Sequence, residues 1–315
     1  MTSEQVSVAA PRRGAVAYGQ TALTVTVLVA AVWLARRHWP VLESGALRLA
    51  VADQGWLLVG AAAACGTWLC AALAQQGAVL PPLPRGRLVA AQFAAGAANH
   101  VLPAGLGAGA VNLRFLMRCG LTAGRAATAV GVKATAGGVA RGVLIVVLAA
   151  ACPGILRIPH DGGGWAAVAL AAVAGCVLLA GRRWPRCRRV LAAVSADIGA
   201  VHARPRRAAA LWGGSVAFAA LHACVLIAVT RAVALPLSPV VVALLYLAAS
   251  SAAALLPTPG GLGSLDAALA LALASTGAPP AAAASAVLGY RLLTVWLPLL
   301  PGLLVLGVLV RRKAL

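Results

Sequence analysis

Long apolar runs constrain this chain more than any other feature. A helix needs about 20 mostly apolar residues to cross the hydrocarbon core of a bilayer. The clearest runs of that kind lie at roughly 15–35, 55–74, 126–150, 164–180, 209–230 and 284–310. Two more, roughly 88–112 and 239–276, are apolar but interrupted by Pro and Gly. Soluble domains do not contain so many such runs, so the sequence predicts an all-α, polytopic integral membrane protein with about six to eight spans.

The composition excludes the main soluble alternatives. Of 315 residues, 62% are hydrophobic and 10% are charged, whereas a soluble domain carries about 25% charged residues. An ordinary soluble enzyme, a disordered chain and a disulfide-rich secreted module are therefore excluded. The seven cysteines contain no CxxC pair and mostly lie in apolar runs, which is typical of small buried hydrophobes. The five histidines show no metal-ligand spacing, and we expect neither a metal nor a cofactor.

The basic residues indicate topology. There are 26 Lys and Arg against 6 Asp and Glu, a net charge of +20. On a soluble protein that excess would suggest nucleic acid, but here it concentrates in loops, and basic loops stay on the cytoplasmic side of a membrane. We expect a cytoplasmic segment 1–14, one transmembrane domain 15–310 with a cytoplasmic Arg-rich loop 181–208, and a cytoplasmic tail 311–315. The loop 181–208 either sets topology alone or also binds anionic lipid headgroups. No nucleic-acid partner is expected.

Some details of this topology are less regular. The first run follows Arg12 and Arg13 without an evident small-residue cleavage site, so we interpret it as a retained span and not as a signal peptide. Arg36 and Arg37 depart from the charge pattern, because they fall outside if the N-terminus is inside.

An internal repeat surrounds the two Pro-Gly breaks. The first break contains Pro103, Gly105 and Gly107, and the second contains Pro257, Pro259, Gly260, Gly261 and Gly263. Glycines follow Pro103 at positions +2, +4 and +17, and they follow Pro259 at +2, +4 and +18. In both cases an Ala-rich stretch then leads to a cation, Lys133 or Arg291. We therefore predict two related halves, roughly 85–150 and 239–310.

Two interpretations of the breaks are open. Pro and Gly can kink a membrane helix whose neighbours satisfy the freed backbone groups. Alternatively, each break is the tip of a re-entrant hairpin, which is tolerated only inside protein or beside a wet cavity. Basic residues at both ends of 85–125 favour the hairpin. Two hairpins entering from opposite sides would form an inverted repeat, a plan typical of transporters with a site near the bilayer midplane.

Ionisable side chains within the apolar runs are the candidate site. A cation at mid-bilayer costs at least about 2.5–3.5 kcal/mol, so it usually faces a cavity or a partner. Together with the ends of broken helices, such cations would favour a phosphate headgroup. The candidate substrate-binding residues are Arg141, Lys133, Arg291, Asp266, Tyr290, Arg114 and Asn99.

Each candidate also has a simpler explanation. Lys133 can extend its amine to the interface, and Arg141 can form a structural pair with Asp266. Asn99 and Asn112 can satisfy local backbone at the turn. Small-residue runs such as 94–98 suit packing within or between chains, so a homo-oligomer remains open.

At these residues the chain resembles a known family, the lysylphosphatidylglycerol synthase transmembrane family. The residues that resemble its first signature are Gln92, Asn99, Leu102, Pro103, Gly105, Gly107, Arg114, Leu116 and Gly120. The residues that resemble its second signature are Pro257 to Gly263, Asp266, Gly277, Tyr290, Arg291, Trp296, Leu297 and Pro298. The resemblance covers about 15–310 and implies a polytopic membrane protein that in some members is a flippase.

The resemblance also sets limits. In the bifunctional members a separate soluble domain makes the modified lipid, whereas this chain ends at Leu315. We therefore expect no synthase domain and no lipid-aminoacylating activity. Members of the family often carry an acid and an Arg shortly after the first glycines. In this chain those positions are Gly109 and Asn112, and Asp266 occupies a position where the family more often has Glu. The first departure weakens any headgroup role for the first hairpin.

Three classes of function are conceivable for a membrane protein of this kind. The leading prediction is a lipid flippase or lipid-linked transporter, in contact with membrane lipids, in the plasma (inner) membrane of a bacterium. The alternative is a non-transporting partner or regulator that holds a cytoplasmic lipid- or glycan-modifying enzyme through the loop 181–208. An embedded enzyme is not expected, because no nucleophile with a base and no metal site is evident.

Overall fold

The computed structural model describes residues 36, 39–101, 106–151, 195–196, 198–254, 263–312 and 314–315. The predicted spans at 15–35 and 164–180 and most of the loop 181–208 lie outside the described residues. So do the tips of the two breaks, with Pro103, Gly105, Pro257, Pro259, Gly260 and Gly261.

The described residues are helical apart from turns and short connections. The helices are α1 (Trp39–Ala50), α2 (Gln54–Gly77), α3 (Arg85–Val101), α4 (Leu106–Arg118), α5 (Ala123–Ala151), α6 (Pro205–Ala232), α7 (Pro239–Ala253), α8 (Ser264–Ala274), α9 (Pro280–Arg291) and α10 (Leu297–Arg311). A π-helical turn, Leu292–Trp296, joins α9 to α10 in one continuous helix.

Four described helices are long and apolar enough to cross a membrane. They are α2, α5, α6 and the continuous helix Pro280–Arg311. These helices confirm the predicted runs at 55–74, 126–150, 209–230 and 284–310. Helix α1 was not predicted, because Glu43 and Arg48 interrupt its apolar pattern. It packs against α9, where the Ser285 hydroxyl donates to the carbonyl oxygen of Gly45 at 2.9 Å.

Each of the two interrupted runs forms a pair of short helices packed side by side, α3 with α4 and α7 with α8. At 1.5 Å per residue, these helices are about 26, 20, 22 and 17 Å long, so none spans a core of about 30 Å. In one kinked helix Gln92 and Asn112 would lie about 30 Å apart, yet their side chains are hydrogen-bonded. The first run therefore folds back on itself, as the hairpin interpretation expected.

A long helix precedes each predicted half, and once it is included (54–151 and 205–311) the helix order is the same in both halves. A long helix is followed by two short ones and then another long one, as α2–α3–α4–α5 and again as α6–α7–α8 with Pro280–Arg311. The turn after each second short helix contains a glycine in the left-handed region, Gly120 with φ 91° and Gly277 with φ 81°. Proteins place glycine there because it has no Cβ to clash with the backbone.

Helices α2 and α6 pack antiparallel along their lengths. At one end the backbone N–H of Asp53 donates to the carbonyl of Ala232 at 3.0 Å. At the other end the Arg207 guanidinium donates to the carbonyls of Gln76 at 2.8 Å and Leu80 at 3.0 Å. The first long helices of the two halves thus run in opposite directions.

The described core has two apolar clusters. One is built mainly from α3, α4 and α5, and the other from α6, α7, α8 and α9. The halves also interlock, because α3 packs against α10 and α7 packs against α5. The first short helix of each half therefore contacts the last long helix of the other.

Candidate functional site

In the first half, polar side chains of the helical pair hold Lys133. Its amine donates to the Gln92 side-chain oxygen at 2.6 Å. The Gln92 amide donates to the Asn112 side-chain oxygen at 2.6 Å, and the Asn112 amide donates to the Ala108 carbonyl at 2.8 Å. Gln92 and Asn112 are buried. The Lys133 amine is therefore engaged between helices, and Asn112 bonds both local backbone and a side chain.

In the second half, a carboxylate holds the corresponding cation. The guanidinium of Arg291, which is 5% exposed, forms an ion pair with Asp266. The second carboxylate oxygen of Asp266 accepts from the backbone N–H of Gly263 at 2.9 Å. Gly263 has φ 81° and directly precedes α8, where an acidic side chain satisfies a free backbone donor. Within the described part of the chain, Asp266 pairs with Arg291 and not with Arg141.

Both cations lie about a third of the way along their long helices, Ala123–Ala151 and Pro280–Arg311. Lys133 is 10 residues beyond Ala123 at the start of α5, and Arg291 is 11 beyond Pro280 at the start of α9. At 1.5 Å per residue these distances are about 15 and 16 Å, against a hydrocarbon thickness of about 30 Å. The Lys133 amine is directed into the protein, where it bonds Gln92.

The two halves meet at His100, near the end of α3. The charges of Arg291 and Asp266 both act on its imidazole, so the ion pair of the second half lies near this end of the first hairpin. The Nδ1 atom of His100 is buried and has no hydrogen-bond partner among the described residues. A buried polar atom of this kind is costly unless a partner is supplied.

Arg141 lies on α5, which packs against α6 and α7. Its charge acts on His222 and on Tyr246. The hydroxyl of Tyr290 donates to the hydroxyl of Tyr246 at 3.2 Å, and the His222 ring stacks near Tyr246 with centroids 6.1 Å apart. The Arg141 Nε is buried and lacks a hydrogen-bond partner within the part of the chain that the structure describes.

The other three predicted site residues, Arg114, Asn99 and Tyr290, do not contact the Lys133 network through a hydrogen bond among the described residues. Arg114 is exposed on α4, and Asn99 is half-buried on α3. Tyr290 is only 2% exposed and packs with Tyr246, so its hydroxyl bonds protein. Among the described residues, no group of three His, Cys, Asp or Glu side chains is arranged to hold a metal ion.

Four polar residues at the site were not among the predicted ligands: Gln92, His100, His222 and Tyr246. Gln92 opened the first signature, and a polar side chain in an apolar run was the available signal for all four. The spacing of these residues in the sequence does not predict that the chain folds back and brings them close to the cations.

Membrane-length helices, two pairs of short helices and charges buried between them define a multi-pass helical membrane protein. The family model for the lysylphosphatidylglycerol synthase TM region matches residues 15–302. The chain therefore belongs to this family, as the two signatures indicated. A comparison with curated proteins gives no match.

Proposed function

We propose that this protein is a lipid flippase, which moves an anionic or lipid-linked substrate between the leaflets of the plasma membrane without acting on it as an enzyme. Family membership and the membrane helices assign it to a lipid-related membrane function. The flippase reaction goes beyond that assignment and rests on the arrangement of charges described above.

One observation carries the proposal. Each half holds a cation beside a pair of short helices, the half-buried Lys133 in the first half and the buried Arg291 in the second. Charged groups within membrane helices are costly unless they serve a pathway or a partner. Broken helices that meet near the midplane are the usual position of a transporter site.

The antiparallel packing of α2 and α6 supports an inverted repeat. These helices are the first of each half and run in opposite directions. If every element of the second half follows the same inversion, the two hairpins enter from opposite faces of the membrane. Each would then offer access to one leaflet, which is the requirement for moving a headgroup between them.

The charge balance supports an anionic headgroup. Lys133 is held by a neutral amide, so its positive charge is not cancelled. Arg141 retains a buried donor without a partner among the described residues, whereas Arg291 is neutralised by Asp266. Phosphate oxygens accept strongly from such cationic donors. In the proposed cycle Arg141 and Lys133 bind the headgroup, and the Arg291–Asp266 ion pair holds α8 against α9.

The test is lipid movement in reconstituted vesicles. Wild-type protein should accelerate leaflet exchange of a fluorescent anionic phospholipid, measured by dithionite quenching. Arg141→Gln should reduce the rate at least about tenfold, since a charge-assisted hydrogen bond contributes about 1.5–3 kcal/mol. Arg231→Gln removes an equal charge at the exposed end of α6 and should leave the rate unchanged.

The assay also distinguishes the alternative. A partner or regulator without transport activity would move neither phospholipids nor polyprenyl-phosphate lipids, and that result would reject the flippase. Movement that is equal in wild type and Arg141→Gln would retain transport but reject the proposed site.

A further inference from the structure

A cavity of about 230 Å³ lies at the base of the first hairpin. Its walls are the loop 78–81 after α2, the turn 119–122 between α4 and α5, the first three turns of α5, and Val201. Val132 is the lining residue furthest along α5 and directly precedes Lys133. Neither Lys133 nor Arg291 lines the cavity, although Lys133 lies on the same helix as one of its walls.

The cavity is cationic. Arg125 lines it. The charge of Arg87 reaches it as well: burial raises the pKa of the Cys119 thiol, which lines the cavity, and Arg87 partly offsets that rise. None of the acidic residues in the described part of the chain, which are Glu43, Asp53 and Asp266, contributes to the walls.

One wall is held by a network of hydrogen bonds. Arg207 donates to the carbonyls of Gln76 and Leu80. The side chain of Gln76 donates to the Pro81 carbonyl at 3.2 Å and accepts from the Leu83 backbone N–H at 2.8 Å. These four hydrogen bonds fix the shape of the loop. A preformed wall lowers the entropic cost of binding.

We propose that this cavity binds a phosphate group through Arg125, with Arg87 contributing long-range attraction. Its mixed polar and apolar walls suit either the headgroup of an anionic phospholipid or a free phosphate ester. Both share the same anionic oxygens, which guanidinium groups recognise well. The site is a binding site in its own right and does not require that the lipid cross the membrane.

Cys119 provides the reporter, because it is half-buried within the site. The full chain is reconstituted in phosphatidylcholine nanodiscs, and alkylation of Cys119 by a small maleimide is followed by peptide mass spectrometry. Inorganic phosphate, glycerol 3-phosphate, or phosphatidylglycerol in the disc is then added. Binding of radiolabelled phosphate and native mass spectrometry of retained lipid give a second readout.

The expected result is protection of Cys119. A ligand at ten times its Kd should slow alkylation about tenfold. Arg125→Gln should reduce protection to about twofold, since losing one charge-assisted contact weakens affinity about tenfold. Arg125→Lys should restore part of it, and Arg231→Gln should leave it unchanged.

The added compounds distinguish the two possible sources of the phosphate, a soluble phosphate ester and a lipid headgroup. Protection by soluble phosphate identifies a free phosphate site, and protection only by phosphatidylglycerol identifies a headgroup site. The proposal is overturned if no phosphate compound binds by either readout, or if binding is the same after Arg125→Gln. Neither outcome depends on leaflet exchange, so the flippase proposal is tested independently.

Discussion

The half-buried cation Lys133 and the buried cation Arg291 differ in the side chains that hold them. Lys133 donates to the neutral amide of Gln92, whereas Arg291 pairs with the carboxylate of Asp266. Asp266 also accepts from the backbone at the start of α8. The Asp266–Arg291 pair therefore joins α8 to α9 as a structural element, while Lys133 retains an uncancelled charge.

At the residue scale, we predict that the Asp266–Arg291 pair is energetically coupled. Asp266→Leu alone leaves a buried guanidinium without its counter-charge and should destabilise the protein by about 2–3 kcal/mol. This is less than for a fully buried pair, because the Asp266 side chain is 33% exposed. The double variant with Arg291→Leu should be more stable than Asp266→Leu, as measured by thermal midpoints in detergent. Additive losses would contradict the coupling.

At the scale of elements, the close contact of α3 and α4 depends on one glycine. A Cβ on Gly107 would overlap the carbonyl group of Ala98, whereas a Cβ on Gly109 in the same helix would meet nothing within 4 Å. Gly107→Ala should therefore force the helices apart and cost about 1–3 kcal/mol.

The matched control is Gly109→Ala. It should be neutral or stabilising by up to about 1 kcal/mol, because alanine favours a helix over glycine. Thermal midpoints of both variants in detergent provide the comparison. Equal midpoints would show that the two short helices do not need this contact.

The elements also show how far sequence reasoning extends. The four long helices follow from the length of apolar runs alone, since about 20 apolar residues predict a span without any knowledge of neighbours. Helix α1 was missed because its stability comes from packing on α9, which local pattern does not report. The π-helical turn Leu292–Trp296 was also missed. It lies just before Pro298, which lacks a backbone donor.

The sequence identified the ionisable residues of the candidate site but not which side chains they contact. Lys133, Arg141, Asp266 and Arg291 stood out because charges are rare in apolar runs. Their partners did not, because Gln92 is 41 residues from Lys133 and becomes a neighbour only when the chain folds back. Asp266 was open to pairing with Arg141 on charge alone, and tertiary packing selects Arg291.

At the scale of the whole molecule, the two halves are joined through α2 and α6. A Cβ on Gly214 would lie 2.7 Å from the backbone nitrogen of Ala74, whereas a Cβ on the adjacent Gly213 would have open space. Gly214→Ala should separate the halves and cost about 1–3 kcal/mol, with loss of lipid movement. Gly213→Ala should retain both stability and movement. If both variants behave alike, this interface does not hold the halves together.

The orientation of the halves gives the most direct test of the proposed inverted repeat. The turns after α4 and α8 occupy equivalent places, and Thr122 and Ser275 are exposed in them. Under inversion these turns lie on opposite faces of the membrane, because α2 and α6 run antiparallel and each begins one half. In a background without other cysteines, Thr122→Cys and Ser275→Cys should react with a membrane-impermeant maleimide from opposite sides of sealed vesicles. Labelling of both from the same side would reject the inversion, since two halves of matching helix order cannot be inverted if their equivalent turns share a face.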